Sequence, residues 1–237
     1  MIILAAALAI FQSTGTASVP IGRTNDQGWM KRHEAICAAA KQIQPQLVML
    51  GDSITHCWGG APDTGENFGK RGQKPWDEYL LQYKPVNMGI SGDRTNQVLW
   101  RIEHGCLDEV RPRCLFLMIG TNNLGDTSAL ETVRGIRTVI KAIRKKLPFT
   151  VLVVESLLPR QELLSEPSNK VRAVNAVLPK IAREEGCLFV DLDPVFAEAD
   201  GHYKRDLYID PVHPNPAGYE AWGRFMKKLL PELFKDP

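Results

Sequence analysis

The chain has 237 residues, 44% of them hydrophobic, which is enough to bury one sizeable core and makes a single domain the default. Its 29 basic and 27 acidic residues give a net charge of +2, and no long run of either sign occurs. Composition therefore gives no reason to expect nucleic acid or an anionic membrane surface as a partner.

The N-terminus carries an apolar run over residues 2–11, followed by small polar residues. Its length is typical of a signal peptide cleaved after Ala17, although the first basic residue comes only at Arg23. The run is too short to span a bilayer, and no membrane span is predicted. We therefore expect a signal peptide over residues 1–17, a single domain over 18–237, and export to the periplasm or the medium. The alternative is a buried N-terminal segment of a cytoplasmic protein.

Five short apolar runs alternate with segments that have the hydrophobic spacing of helices. Continuous apolar runs are typical of strands buried on both faces, as in parallel sheets covered by helices. The predicted strands are QLVML (46–50), PVNMG (85–89), CLFLMIG (114–120), FTVLVVES (149–156) and CLFVDL (187–192). The predicted helices cover residues 96–105, 128–147, 169–186 and 216–234. This order predicts an α/β fold, a three-layer sandwich with a mostly parallel sheet.

Two segments look like loops, residues 58–75 after the first predicted strand and 157–169 after the fourth. Ligands of open α/β sheets bind beyond the carboxyl ends of the strands, so both loops are expected to form pocket walls. The alternative is that they are ordinary surface connections.

The five cysteines form no CxxC pair, and most are expected to be buried as small apolar residues. In an exported protein one disulfide could form, and its partners are left open. No metal site is predicted.

A serine stands at the mouth of the first predicted strand, in MLGDSITH. Gly51 allows a sharp turn, and a helix that starts near Ser53 would point its free N–H groups at the same place. A Gly-Asp-Ser sequence alone is more typical of a helix N-cap. Ser53 becomes a candidate nucleophile only if the rest of the chain supplies a base.

A candidate base lies near the other end of the chain, in YIDPVHPNPAGYEAW. Asp210 and His213 are three residues apart, and prolines stiffen the loop that carries them. Asp210 can hold one ring nitrogen of His213, which leaves the other nitrogen free to take a proton. The alternative is a helix entry with Asn215 as N-cap and His213 as a surface residue.

Two further loops carry candidate hydrogen-bond donors. Gly92, in GISGDRTN, can present its N–H to an anion, and the amide of Asn122, in MIGTNNLGD, can stabilise a developing oxyanion. Ordinary turns are the alternative in both places. The loops of Ser53, Gly92 and Asn122 follow successive predicted strands, so they should meet at one edge of the sheet. Together with Asp210 and His213 they form the set of groups needed for acyl transfer.

Four blocks, GDSIT (51–55), GISGDRT (89–95), GTNN (120–123) and DPVH (210–213), resemble the ordered signature of the SGNH, or GDSL, hydrolase family. The stretch from residue 86 to 123 is similar to the platelet-activating-factor acetylhydrolases and their bacterial relatives within it. This resemblance implies a flavodoxin-like three-layer α/β/α sandwich with a five-stranded parallel sheet, and no metal or organic cofactor. It also implies that Ser53 is the nucleophile, that His213 is the general base and that Asp210 orients it. The oxyanion hole would consist of the N–H groups of Ser53 and Gly92 and the side chain of Asn122.

The sequence and the resemblance together favour a serine esterase that cleaves short-chain, acetyl esters through an acyl-enzyme. The inserted segment 58–75 and the predicted export favour an acetylated carbohydrate or a similar small ester over platelet-activating factor. A lysophospholipase, a thioesterase or a platelet-activating-factor-type acetylhydrolase stays open, as do a non-catalytic glycan- or lipid-binding module and a homodimeric assembly. Candidate substrate contacts are Asp52, Trp58, Asn123 and Tyr208.

Overall fold

The five apolar runs form one sheet in which every neighbouring pair of strands is parallel. The computed structural model describes residues 16–65, 70–162 and 164–235. The strands are β1 (Leu47–Gly51), β2 (Pro85–Gly89), β3 (Cys114–Met118), β4 (Val151–Glu155) and β5 (Leu188–Val190). Their order is β2-β1-β3-β4-β5, which is that of flavodoxin-like sheets. The predicted fold class is confirmed, and the burial of β1 to β4 explains why these strands do not alternate polar and apolar residues.

Helices cover both faces of the sheet. They are α1 (Gln27–Ile43), α2 (Ser53–His56), α3 (Gln73–Pro75), α4 (Thr95–Glu103), α5 (Ala129–Lys146), α6 (Glu166–Asn175), α7 (Leu178–Glu184), α8 (Asp193–Phe196) and α9 (Pro216–Leu233). Helices α4, α5 and α6 pack side by side, and α9 packs against α3, α8 and the helical turn of residues 76–80. None of the described helices is both long enough and apolar enough to cross a bilayer.

Two helical features differ from the prediction. The single helix predicted over residues 169–186 is two helices, because Pro179 has no N–H and its ring would clash with the carbonyl of Asn175. Pro179 instead lies in the first turn of α7, where a missing N–H costs nothing. Helix α1, whose side-chain cap is Asp26, is not among the predicted helices. Its buried face includes polar residues such as Arg32, which obscured the apolar period.

The predicted signal peptide lies outside the described residues except for its last two positions. Ala17, after which cleavage is predicted, is buried, and its carbonyl accepts a hydrogen bond of 2.7 Å from the hydroxyl of Thr95. The signal peptide and the domain boundary therefore stay predictions.

A buried ion pair holds the carboxyl ends of β1 and β2. Arg101 Nη1 donates to Met88 O at 2.8 Å, and Nη2 donates to Gly51 O at 3.3 Å. Its Nε lies 2.9 Å from Asp93 Oδ2, and both side chains are fully buried. Trp29 Nε1 donates to the other carboxylate oxygen of Asp93 at 2.6 Å. Burial raises the pKa of Asp93 to about 6, and the charge of Arg101 opposes that rise.

Replacing Arg101 by Met should lower the free energy of unfolding by about 3–5 kcal/mol at pH 7, because Asp93 loses its cation and must either stay charged in the core or take up a proton. Urea unfolding followed by circular dichroism measures this loss. The double variant Asp93→Asn/Arg101→Met should be less destabilised than Arg101→Met, since it buries no lone charge. A double variant that loses the full sum of the two single losses would contradict this account.

A second buried carboxyl lies at the end of β4. Glu155 is buried, and its Oε1 has no hydrogen-bond partner among the described residues. Burial raises the pKa of Glu155 to about 8, and the neighbouring Trp222 side chain opposes this rise. In the unfolded chain the carboxyl titrates near its ordinary value of 4.5. Between these two values the folded protein keeps a proton that the unfolded chain has released.

The contribution of Glu155 to stability should therefore be present below pH 4.5 and disappear as the pH rises to about 8. The slope should approach about 1.4 kcal/mol per pH unit. Glu155→Gln should flatten this part of the profile and be more stable than the wild type at pH 8. Glu103→Gln, on the exposed side of α4, is the control and should leave the profile unchanged. Chemical unfolding at five pH values between 5 and 8 measures both, and parallel profiles for wild type and Glu155→Gln would refute the assignment.

Candidate active site

Ser53 is the first residue of α2, directly beyond the carboxyl end of β1. Asp52, not Ser53, is the N-cap, because its Oδ1 accepts the N–H of Ile54 at 2.9 Å. The hydroxyl of Ser53 is thus not used for capping, and at the first helical position its N–H has no acceptor within the helix. Burial raises the pKa of Asp52 to about 7, and the hydrogen bond from Ile54 opposes that rise.

His213 reaches Ser53 from the loop that precedes α9. Its Nε2 lies 2.9 Å from Ser53 Oγ, and its Nδ1 lies 2.8 Å from Asp210 Oδ2 and 3.1 Å from Oδ1. Burial acts to raise the pKa of Asp210, but hydrogen bonds from the N–H groups of Val212 and His213 and from the ring of His213 outweigh it and lower that pKa. An ionised carboxylate only accepts, so Nδ1 carries a proton; in the neutral form of the imidazole, Nε2 is then the acceptor of the Ser53 O–H.

The loop of His213 is held from both sides. Asn215 caps α9 by accepting the N–H of Gly218 at 3.0 Å, and its amide donates to Asp206 O at 2.8 Å. The N–H of Gln161 donates to Pro211 O at 3.1 Å, which ties the loop to the segment after β4. The capped helix entry expected as the alternative is present and orients the imidazole, but His213 is half-buried beside Ser53 and is not a surface residue.

Gly92 and Asn122 bring hydrogen-bond donors to the same place. Gly92 lies in the turn after β2 with φ of +79°, a conformation that strains other residues, and a Cβ there would lie 3.0 Å from Arg23 Nη1. Asn122 follows β3, and its amide donates one hydrogen to Asp93 O at 2.9 Å, which leaves a second N–H. Among the described residues, neither the N–H of Ser53 nor that of Gly92 has an acceptor.

These groups surround a cleft of about 310 Å³ at the carboxyl edge of the sheet, here named the Ser53 cleft. It is lined by Ser53, Arg71, Ser91, Gly92, Asn122, Asp210 and His213. The structure thus brings together all five residues expected to form the nucleophile, its base and orienter, and the oxyanion site. Arg71 and Ser91 are not among the predicted site residues, although both stand in segments predicted to be loops.

The two predicted walls have different roles. Segment 58–75 contributes Arg71 to the lining of the cleft. The described part of segment 157–169 contributes no lining residue, and supports the His213 loop instead. Besides the Gln161 bond, its Pro159 carbonyl accepts the hydroxyl of Tyr208 at 2.8 Å.

The four candidate substrate contacts are buried and do not line the Ser53 cleft, so the structure does not support that prediction. Trp58 is fully buried against Trp76, Tyr219 and Trp222, because the apolar area of an indole is better used in the core than in a polar cleft. The other three side chains form hydrogen bonds with backbone groups of the fold: Asn123, Asp52 and Tyr208. Asn123 Oδ1 accepts the N–H of Thr95 at 3.1 Å, while Asp52 and Tyr208 make the bonds given above.

The cysteine thiols and groups of metal-binding side chains are the remaining candidates for chemistry. All five cysteines are free thiols, and three of them are buried: Cys57, Cys106 and Cys114. Within the described parts of the chain, no group of three or more His, Cys, Asp or Glu side chains could hold a metal ion.

Comparison with known proteins identifies the family. Residues 49–221 match the model of the GDSL-like lipase/acylhydrolase family. The human platelet-activating factor acetylhydrolase IB subunit alpha1 is 31% identical over 209 residues, which cover 88% of this chain and 85% of that protein. The rat alpha2 subunit is 27% identical over 227 residues, or 93% and 92% of the two chains.

Two solved structures share the fold. A GDSL-like lipase from Bacteroides thetaiotaomicron superposes with a TM-score of 0.68 at 19% identity, over 86% of this chain and 98% of that one. An acetylxylan esterase from Geobacillus stearothermophilus gives a TM-score of 0.62 at 21% identity, over 81% and 95%. The family match covers most of the chain, and it includes the loops of Ser53 and His213. The chain belongs to the GDSL-like lipase/acylhydrolase family.

Proposed function

We propose that this protein is a serine esterase that hydrolyses small acetyl esters through an acyl-enzyme. The observation that carries the proposal is the 2.9 Å contact between Ser53 Oγ and His213 Nε2, with Asp210 on the other ring nitrogen. A serine hydroxyl is a weak nucleophile by itself, and a neighbouring imidazole of fixed tautomer makes it effective. Membership of an acylhydrolase family supports the same chemistry.

In the proposed reaction Ser53 Oγ attacks the ester carbonyl while His213 Nε2 takes its proton. The negative charge that develops on the carbonyl oxygen is stabilised by the N–H groups of Ser53 and Gly92 and by the amide of Asn122. His213 then protonates the leaving alcohol, and Asp210 stabilises the imidazolium that forms meanwhile. Water, activated by the same imidazole, releases the acid and regenerates Ser53.

Relatives support acetyl as the acyl group. The human and rat relatives are named as acetylhydrolases, and one structural neighbour is an acetylxylan esterase. We extend the proposal to an acetylated carbohydrate or a similar small ester, acted on outside the cytoplasm after removal of the N-terminal apolar run. A lysophospholipase or thioesterase would instead prefer long acyl chains, so acetyl against octanoyl esters separates these functions.

Ser53→Ala should lower kcat/KM for p-nitrophenyl acetate by at least about 10³-fold, because no other group replaces the attacking oxygen. It should also abolish covalent labelling by a fluorophosphonate, measured by intact-protein mass spectrometry. Ser91→Ala, which removes a second hydroxyl of the cleft, should still be labelled. Undiminished labelling of a folded Ser53→Ala protein would exclude this nucleophile, and an unlabelled wild type would favour a non-catalytic binding module.

Asn122→Ala should lower kcat for the same ester by about 10²–10³-fold and change KM little, because its amide acts on charge that is present only in the transition state. Asn122→Asp, which keeps the shape and removes the donor, should lose at least as much. Asn169→Ala, on an exposed side of α6, serves as the control. A large rise in KM with unchanged kcat would show that Asn122 binds the ground state instead.

A further inference from the structure

Arg71 is a cationic side chain in the lining of the Ser53 cleft, and the catalytic proposal gives it no role. It is half-buried, and its Nη2 donates to the sulfur of Cys57 at 2.9 Å. Its Nε is buried and has no hydrogen-bond partner among the described residues. No carboxylate of the described residues lies within ion-pair distance of its guanidinium. A thiol sulfur is a weak acceptor, so most of the hydrogen-bonding capacity of Arg71 is unused.

The position of Arg71 is determined by the tight packing of its neighbour Gly72. The N–H of Gly72 donates to Cys57 O at 3.1 Å, immediately after α2. A Cβ on residue 72 would lie 2.8 Å from the ring of Tyr219 and 2.9 Å from Trp58 O, so only glycine allows this approach. Tyr219 in turn donates to Ile54 O at 2.7 Å. Arg71 is therefore anchored to the same helix that carries Ser53.

The two described arginines that are fully buried, Arg101 and Arg32, have their charge or their donors satisfied. Arg101 faces Asp93, and Arg32 donates to the carbonyls of Gly89 and Pro62 at 2.8 and 3.1 Å. A guanidinium stays charged at all ordinary pH values, and withdrawing it partly from water without an anion is unfavourable. A ligand anion in the cleft would compensate that cost, and the planar guanidinium suits a carboxylate or a phosphate.

We propose that Arg71 is a specificity-determining residue that binds an oxyanion, a carboxylate or phosphate group, on the alcohol part of the ester. The inference rests on the proposed function, because acetyl as the acyl group leaves only the alcohol part to carry the charge. Arg71 does not act on the reacting atoms. It selects acidic acetyl esters over neutral ones by pairing with a group beside the scissile bond.

Three acetyl esters of similar shape test this proposal: 3-acetoxybenzoate, 3-acetoxyphenyl phosphate and the neutral 3-acetoxybenzamide. Arg71→Gln should lower kcat/KM at least ten-fold for one or both anionic esters, mainly through KM, and less than two-fold for the amide. The anionic ester whose kcat/KM falls more shows whether the native group is a carboxylate or a phosphate. Arg71→Lys, which keeps the charge without the planar fork, should fall between wild type and Arg71→Gln.

Two controls separate selective binding from a general effect. Arg183→Gln removes the same charge from an exposed position on α7 and should leave the ratio of anionic to neutral kcat/KM unchanged. Raising the salt concentration should narrow the wild-type preference for anionic esters, because screening weakens an accessible ion pair. Equal losses on all three esters, or no loss on any, would overturn the role of Arg71.

Binding to the Ser53→Ala variant keeps this test independent of catalysis. Titration calorimetry with intact 3-acetoxybenzoate and 3-acetoxyphenyl phosphate should show at least ten-fold weaker binding of one or both esters when Arg71→Gln is added. If Ser53→Ala abolishes turnover but Arg71→Gln changes neither binding nor selectivity, only the role of Arg71 fails. If Ser53→Ala retains full turnover, the proposed function fails, and the change that Arg71→Gln makes in the ratio of anionic to neutral kcat/KM still decides whether Arg71 binds an oxyanion.

Discussion

The buried pair of Asp93 and Arg101 connects the ends of the three strands on which the Ser53 cleft is built. Arg101 donates to the carbonyls of Gly51, at the end of β1, and of Met88, near the end of β2. Asp93 follows β2 and accepts through its backbone carbonyl from Asn122, beyond β3. One charged contact thus sets the spacing of the loops that carry Ser53, Gly92 and Asn122. Neither residue lines the cleft, yet removing either would leave an unpaired charge or free carbonyls beneath it.

The order of the strands explains why the cleft lies where it does. After β1 the chain adds β2 on one side of β1, and then β3 on the other side. The loops that follow β1 and β3 therefore leave the carboxyl edge of the sheet in opposite directions, and a cleft forms between them. Ser53 and Asn122 stand on these two loops. His213 comes from a different part of the chain, and Tyr219 of α9 fixes its helix to α2 through Ile54 O. Nucleophile and base are therefore supported by a common set of packed helices.

The aromatic side chains near Ser53 lie in the core and polar residues line the cleft, and this difference bears on the choice of substrate. The tryptophans and tyrosine of the Ser53 region, Trp58, Trp76, Tyr219 and Trp222, pack together away from the cleft. Among the described residues, the cleft is lined by serines, an asparagine, the groups of Asp210 and His213 and the guanidinium of Arg71, and by no aliphatic side chain. Such a surface suits a small hydrophilic ester better than a long acyl chain, which would need continuous apolar walls. This agrees with an acetyl ester as the proposed substrate.

The sequence by itself determined the five strands, the fold class and the five residues that meet around the Ser53 cleft. Local chemistry carried that information, since buried parallel strands are apolar throughout and the GDS, SGD, TNN and DPVH blocks follow their ends. Only the tertiary structure decided which nearby polar and aromatic residues face the cleft. Asp52, Trp58, Asn123 and Tyr208 stand beside catalytic candidates in sequence but turn into the core, whereas Arg71 reaches the cleft from an inserted loop. The direction of a side chain depends on the elements packed above it, and those elements are distant in the chain.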